Sequence, residues 1–226
     1  MEPLADRVAK VRHRIEKSLA AAGRAPREVT LVAVSKNHPV EKVREAMGCG
    51  LSVFGENRVQ EGLGKMEAVG ASAEWHLIGP LQSNKVRKAV GRFALLHGID
   101  TLERILQIER AAAGLGEAAR ILLEVNISGE PTKHGFAPQD VAIALEHSLE
   151  LPFVRVEGLM TMAPFDCPGE AARPFFEGLR KLRDRLQEAT GAVLPILSMG
   201  MSGDYEQAIL EGATHIRIGT TIFGSR

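Results

Sequence analysis

Two hydrophobic periods alternate along the chain. Short apolar, β-branched runs occupy residues 29–35, 52–54, 74–78, 93–97, 120–127, 154–159, 194–198 and 215–218. Between them, apolar positions recur at helical spacing over 40–49, 59–69, 83–90, 102–113, 139–148, 170–190 and 205–211. Strands separated by helices imply a parallel sheet with right-handed crossovers. Eight such strands are the count that closes a (β/α)8 barrel of the TIM type, although counting alone leaves an open doubly wound sheet as the alternative. Ahead of the first strand, Leu4, Val8, Val11, Ile15 and Leu19 form one apolar stripe and predict an extra N-terminal helix. No Pro/Ser/Gly-rich linker or composition break interrupts the pattern, so a single α/β domain is expected over residues 1–226.

Composition narrows the function classes. Hydrophobic residues make up 45% of the 226 and charged residues 25%, an ordinary globular balance. Lys+Arg and Asp+Glu number 28 each, giving a formal net charge of zero and no electrostatic footprint for nucleic acid or an anionic membrane. Aromatic content of 4% also argues against base-stacking platforms. The N-terminus has no apolar segment of a secretory signal, and Glu2, Asp6 and Glu16 argue against a transit peptide. Cys49 and Cys167 lie far apart without a second Cys or a His at ligand spacing. They read as reduced thiols of a cytoplasmic protein, with neither disulfide nor metal site.

In a barrel, chemistry gathers where strands end and the following loops begin. The first run ends in Val34-Ser35-Lys36, which puts a lysine directly after buried apolar sequence. Desolvation there favours the neutral amine and suits Schiff-base formation, while the plainer reading is a lysine whose head reaches solvent. The seventh run leads into Ser198-Met199-Gly200-Met201-Ser202-Gly203-Asp204, and the eighth ends Arg217-Ile218-Gly219-Thr220-Thr221. Loops after strands seven and eight form the usual phosphate site of phosphate-binding barrels: Gly219 permits close approach, and Ser202 and Thr220 supply hydroxyl donors. Ordinary turn and capping chemistry is the competing explanation of each loop alone. Asn57 follows the second run and reads equally as a helix cap. His76 lies inside the third and reads first as a hydrogen-bonded core histidine. No catalytic triad, nucleotide loop or metal-ligand spacing is present.

The segments AVSKNHP, FGENRVQE, WHLIGPLQSNK, VNISGEPTKHGF, GLMTM, LSMGMSGD and IRIGTTIFG occur in that order. Together they resemble the pyridoxal phosphate homeostasis proteins, single-domain relatives of the N-terminal barrel of alanine racemase, over nearly the whole chain. The resemblance implies pyridoxal 5′-phosphate as cofactor, held as a Schiff base on Lys36 with its phosphate on Ser202, Gly219 and Thr220. It places Arg217 against the pyridine nitrogen, and Asn57, His76 and Met199 along the cofactor. Gly203 departs from the family pattern, where an acidic or amide residue is expected. A guanidinium only donates, so it leaves that nitrogen unprotonated and weakens the ring as an electron sink. Racemases also need a second domain and its tyrosine base, and in this sequence Tyr205 is the one tyrosine. The expected function is therefore buffering or delivery of the cofactor to apo-enzymes, by a monomer without efficient turnover. The alternative is a cofactor-dependent amino-acid racemase or lyase.

Overall fold

The computed structural model describes residues 2–224. Its eight strands are β1 (Thr30–Val34), β2 (Val53–Glu56), β3 (Glu74–Pro80), β4 (Leu95–Ile99), β5 (Ala119–Glu124), β6 (Val154–Met160), β7 (Ile196–Ser198) and β8 (His215–Ile218). Each pairs with the next in parallel, and β8 returns to β1 through Val32↔Arg217 and its neighbours, closing the barrel. Around it run α1 (Leu4–Ala21), α2 (Val40–Gly48), α3 (Val59–Val69), α4 (Val86–Ala89), α5 (Leu102–Ala113), α6 (Val141–Leu149), α7 (Arg173–Thr190), α8 (Tyr205–Leu210) and α9 (Thr220–Phe223).

Local chemistry explains the helix ends. Thr101 caps α5 by accepting from the Arg104 N–H at 3.2 Å. Helix α7 carries Pro174 in its first turn and stops at Gly191, whose φ of 71° is the left-handed conformation that closes many helices. The stripe expected on α1 is buried at Leu4, Val8, Val11, Ile15 and Leu19, and packs across α8 and α9. No helix among the described residues is long and apolar enough to cross a membrane.

Several boundaries differ from the pattern, each for a local reason. Strand β4 begins at Leu95 because the Phe93 N–H is held by the Ala89 carbonyl in the turn after α4. Residues 83–90 divide into a single 3-10 turn, Ser83–Lys85, and the short α4. Strand β5 ends at Glu124, three residues before the expected limit. Beyond it the Asn126 side chain accepts from the Gly129 N–H at 3.0 Å and donates to the Glu130 carbonyl at 2.9 Å, turning the chain away from the sheet. Strand β7 starts after Pro195, which has no N–H for a ladder. Helix α9 is too short to leave a periodic signal.

The apolar core has two parts. One large cluster fills the space between strands and helices, and a small separate one, Leu95, Leu122, Met160 and Ile196, packs inside the barrel. Gly158 is needed for this closure: a Cβ there would lie 1.9 Å from the Ile196 carbonyl oxygen, so only glycine lets β6 meet β7. Because side chains alternate, residues two along from the inner cluster also face inward. These include His97, Glu124 and Ser198, which brings polar chemistry into the barrel.

Candidate functional site

At the end of β1 the chain turns through Ser35, Lys36 and Asn37. Ser35 is buried, Lys36 half-buried, and Asn37 adopts a positive φ of 61°, a conformation that asparagine tolerates better than most residues. Beneath the turn lies a buried brace. The Ser35 hydroxyl donates to Glu56 Oε1 at 2.6 Å, and Lys65 Nζ donates to the same oxygen at 2.7 Å. Lys65 also donates to the Ser35 carbonyl at 2.7 Å and to Glu61 Oε1 at 2.8 Å, while the Asn37 N–H donates to Glu61 at 2.5 Å. Burial pushes the Glu56 carboxyl up from its usual range, against the pull of Lys65 and Ser35. All three ammonium protons of Lys65 are engaged, so this lysine is structural.

Two loops close on that turn from β7 and β8. Gly200 has φ of 92°, and a Cβ there would stand 2.9 Å from the Tyr205 Cα, so glycine is required where the chain enters α8. Asp204, buried beside it, accepts from the Met201 N–H at 2.5 Å and shapes the loop that carries Ser202. Gly219 passes so near β1 that an added Cβ would lie 3.3 Å from the Val34 carbonyl. The first turn of α9 then leaves the N–H groups of Thr220 and Thr221 without intrahelical acceptors, and Ser202 Oγ lies 3.5 Å from the Thr221 nitrogen. His38, in the Lys36 loop, stacks on Phe223 of α9 with ring centroids 5.2 Å apart. Lys36, Ser202, Gly219 and Thr220 thus come to one end of the barrel, although residues 36 and 220 are far apart in sequence. That end is a cradle of donors for an oxyanion beside an amine.

Arg217 forms the inner wall. It is 4% exposed; its Nη1 donates to Ser198 Oγ at 2.5 Å and its Nη2 to the Thr161 carbonyl at 2.9 Å. Burial pulls its guanidinium down to about 10, which still leaves it charged at neutral pH. Glu124, last residue of β5, lies opposite and is 4% exposed. Burial and the nearby Asp100 push its carboxyl up to about 7, with Arg217 pulling the other way. Sequence reasoning missed Glu124; the available signal was an acidic residue on the inward side of the run Ile121-Leu122-Leu123-Glu124.

The other expected residues fall in different places. Asn57 is half-buried after β2, and its backbone sits so close to Gly79 that a Cβ there would be 2.6 Å from the Asn57 carbonyl. His76 lies deeper, two residues from the start of β3 and 1% exposed. Its Nε2 is 2.8 Å from Glu74 Oε1 and its Nδ1 is 3.0 Å from Nε2 of His97, so it has the hydrogen-bonded core environment rather than a place on the mouth. Met199 has no exposed surface and belongs to the large apolar cluster, directly after β7. Tyr205 is 1% exposed, and burial pushes its phenol up, the opposite of what a base requires.

Comparison with known proteins follows the same lines. The family described as alanine racemase, N-terminal domain, matches residues 7–226. A pyridoxal phosphate homeostasis protein of Aquifex aeolicus is 46% identical over 222 residues, covering 98% of this chain and 97% of that protein. One from Pseudomonas aeruginosa is 43% identical over 228 residues, covering 100% and 97%. Among solved structures, PipY of Synechococcus elongatus with PLP bound has a TM-score of 0.86 at 37% identity, covering 98% of this chain and 100% of that one. An alanine racemase of Clostridium difficile, at 17% identity and a TM-score of 0.78, covers 99% of this chain but 57% of its own, and shows the barrel fold alone. With its barrel, its lysine turn and full-length relatives at this identity, the chain belongs to the pyridoxal phosphate homeostasis protein family.

Proposed function

We propose that this protein binds pyridoxal 5′-phosphate at the open end of the barrel, as a Schiff base on Lys36, and serves intracellular homeostasis of the cofactor by buffering or delivering it. The observation that carries the reading is the convergence of the Lys36 turn with the donor cradle, fixed by the approach of Gly219 to Val34 and the stacking of His38 on Phe223. The residues fit the group. Ser202, Gly219, Thr220 and the opening N–H groups of α9 suit a phosphate; Lys36 supplies the amine; Arg217 would face the ring nitrogen. The same cofactor is bound in the structure of PipY, which matches this chain from end to end. When bound, the cofactor supplies an aldehyde that takes up a primary amine and a ring able to withdraw electrons.

The chain's own residues favour holding over turnover. Arg217 offers only donors, so a ring nitrogen facing it stays unprotonated and the electron sink is weakened. Tyr205 is turned into the core. Both Cys49 and Cys167 are free thiols, in keeping with a reducing cytoplasm, and apo-enzymes that need the cofactor are its recipients. Absorbance tests the reading directly. The purified protein reconstituted with pyridoxal 5′-phosphate should show a band near ~420 nm that is lost in Lys36→Ala without loss of fold. A wild type that stays colourless overturns the assignment. Deuterium exchange at Cα of amino acids at ~1 to 10³ per second would overturn homeostasis in favour of an enzyme.

A further inference from the structure

A line of hydrogen bonds crosses the barrel interior from the mouth to the opposite rim. It runs from Arg217 Nη1 to Ser198 Oγ (2.5 Å), from Ser198 Oγ to His97 Nδ1 (2.8 Å), from His97 Nε2 to His76 Nδ1 (3.0 Å), and from His76 Nε2 to Glu74 Oε1 (2.8 Å). Ser198 and His97 are fully buried and His76 is 1% exposed. Glu74 opens β3 at the N-terminal rim, where its side chain is 50% exposed. Four bonds therefore join solvent at one end of the barrel to the arginine at the other.

We infer that Glu74, His76, His97 and Ser198 form one donor-to-acceptor chain that positions Arg217 and transmits the Glu74 carboxylate to the group that Arg217 faces. The two ends dictate its direction. A guanidinium can only donate, so Ser198 Oγ accepts from Arg217 and its own proton points to His97 Nδ1. An ionised carboxylate can only accept, so His76 Nε2 carries the proton directed at Glu74. The bond between the histidines is then fixed: His97 Nε2–H donates to His76 Nδ1. Both rings are neutral, with the proton on Nε2. The opposite sense would leave the Ser198 hydroxyl, already taking two donors, with no acceptor in a buried site, and with a singly protonated His76 it would also set a bare ring nitrogen against a carboxylate oxygen. Bonds aligned in one direction strengthen one another in low dielectric. The chain ends at a group that keeps its protons, so it carries polarisation rather than a proton: Ser198 becomes a better acceptor, and the Arg217 charge presented to the ligand is softened.

The transmission rests on the proposed cofactor reading, whereas the direction of the chain does not. Protein labelled with ¹⁵N-histidine, without cofactor, should show both His76 and His97 as neutral Nε2–H tautomers in long-range ¹⁵N–¹H correlation spectra at neutral pH. Either ring as the Nδ1–H tautomer, or doubly protonated, overturns the chain. In the reconstituted protein, titration of the band near ~420 nm reads the charge facing the cofactor. Glu74→Gln should lower its midpoint, shifting the proton-dissociation constant about twofold, because an unsoftened arginine withdraws more from the ring. Ser198→Ala should also weaken cofactor binding about tenfold, through loss of a bond to a charged group. Glu117→Gln, an exposed carboxylate on the same rim but outside the chain, should leave the midpoint unchanged. Equal midpoints for wild type and Glu74→Gln, or equal shifts for Glu74→Gln and Glu117→Gln, overturn the transmission. A wild type that takes up no cofactor defeats the functional reading instead, and the tautomers then decide the chain alone.

Discussion

Lys36 and Arg217, the amine and the guanidinium of the candidate mouth, rest on buried polar networks of opposite kinds. Beneath Lys36, Lys65 meets Glu56 at 2.7 Å and Glu61 at 2.8 Å, an assembly of full charges packed behind one turn. Beneath Arg217, two imidazoles and a hydroxyl extend across the barrel. The first network is compact and closes within one corner; the second is long and ends in solvent. Charges locked in place suit a turn that must not move. An aligned line suits a contact whose strength is to be set from a distance. The difference shows that burial alone does not define what a polar group contributes: the brace fixes geometry, and the line fixes orientation and charge.

Breaking the brace should have the largest effect. Lys65→Met leaves Glu56 without its cation at a site with no exposure, and should lower unfolding free energy by about 3–5 kcal/mol in denaturant titration. A loss below about 1 kcal/mol would mean that the brace is not closed as described. Acid should distinguish the second network next. His97 is held well below its ordinary range by burial, and burial takes His215, stacked on His76, down to about 3. Both stay unprotonated in the fold to lower pH than in the unfolded chain, which takes up protons below pH 6.5; the His215 contribution is complete above 6.5 and lost as pH falls towards about 3. His215 should make unfolding free energy fall by about 1.4 kcal/mol per pH unit over that window, with His97 adding in the same direction, and His215→Gln should flatten the slope by one proton. An unchanged slope would remove His215 from the account. Smallest is Ser202→Ala, whose hydroxyl has, among the described residues, only a long contact with the Thr221 nitrogen. Cofactor affinity should fall about fivefold with stability within ~0.5 kcal/mol of wild type, as read by cofactor titration and thermal melts.

The fold was legible because each strand–helix unit announces itself in two periods, and the eight-strand count then pointed to closure. Boundaries slipped where side chains or proline intervened: Asn126 folding the chain beyond β5, Pro195 shortening β7, and Phe93 held in a turn. The mouth was readable where its residues sit in short loops after strands, as Lys36, Ser202, Gly219 and Thr220 do. The networks behind it were not. Ser35, Glu56 and Lys65 meet only once α3 folds back over β1 and β2, and His97 meets Ser198 across 101 residues once β4 and β7 face each other. No spacing in the sequence encodes such pairs, because they depend on inward alternation in a closed barrel. Glu124 escaped notice for the same reason, placed in mid-run by a strand read three residues too long.

The brace also bears on selectivity between two amines at the end of β1. Lys65 Nζ is as close to the Ser35 carbonyl as a hydrogen bond allows, yet each of its protons is committed and the residue is 7% exposed. An amine must shed a proton and present a lone pair before it can attack an aldehyde. Lys65 has no path to that state without stranding two carboxylates, so an aldehyde entering there is not captured by Lys65. Loading at this corner should saturate at one equivalent, with Lys36 as the modified residue after borohydride trapping and peptide mapping.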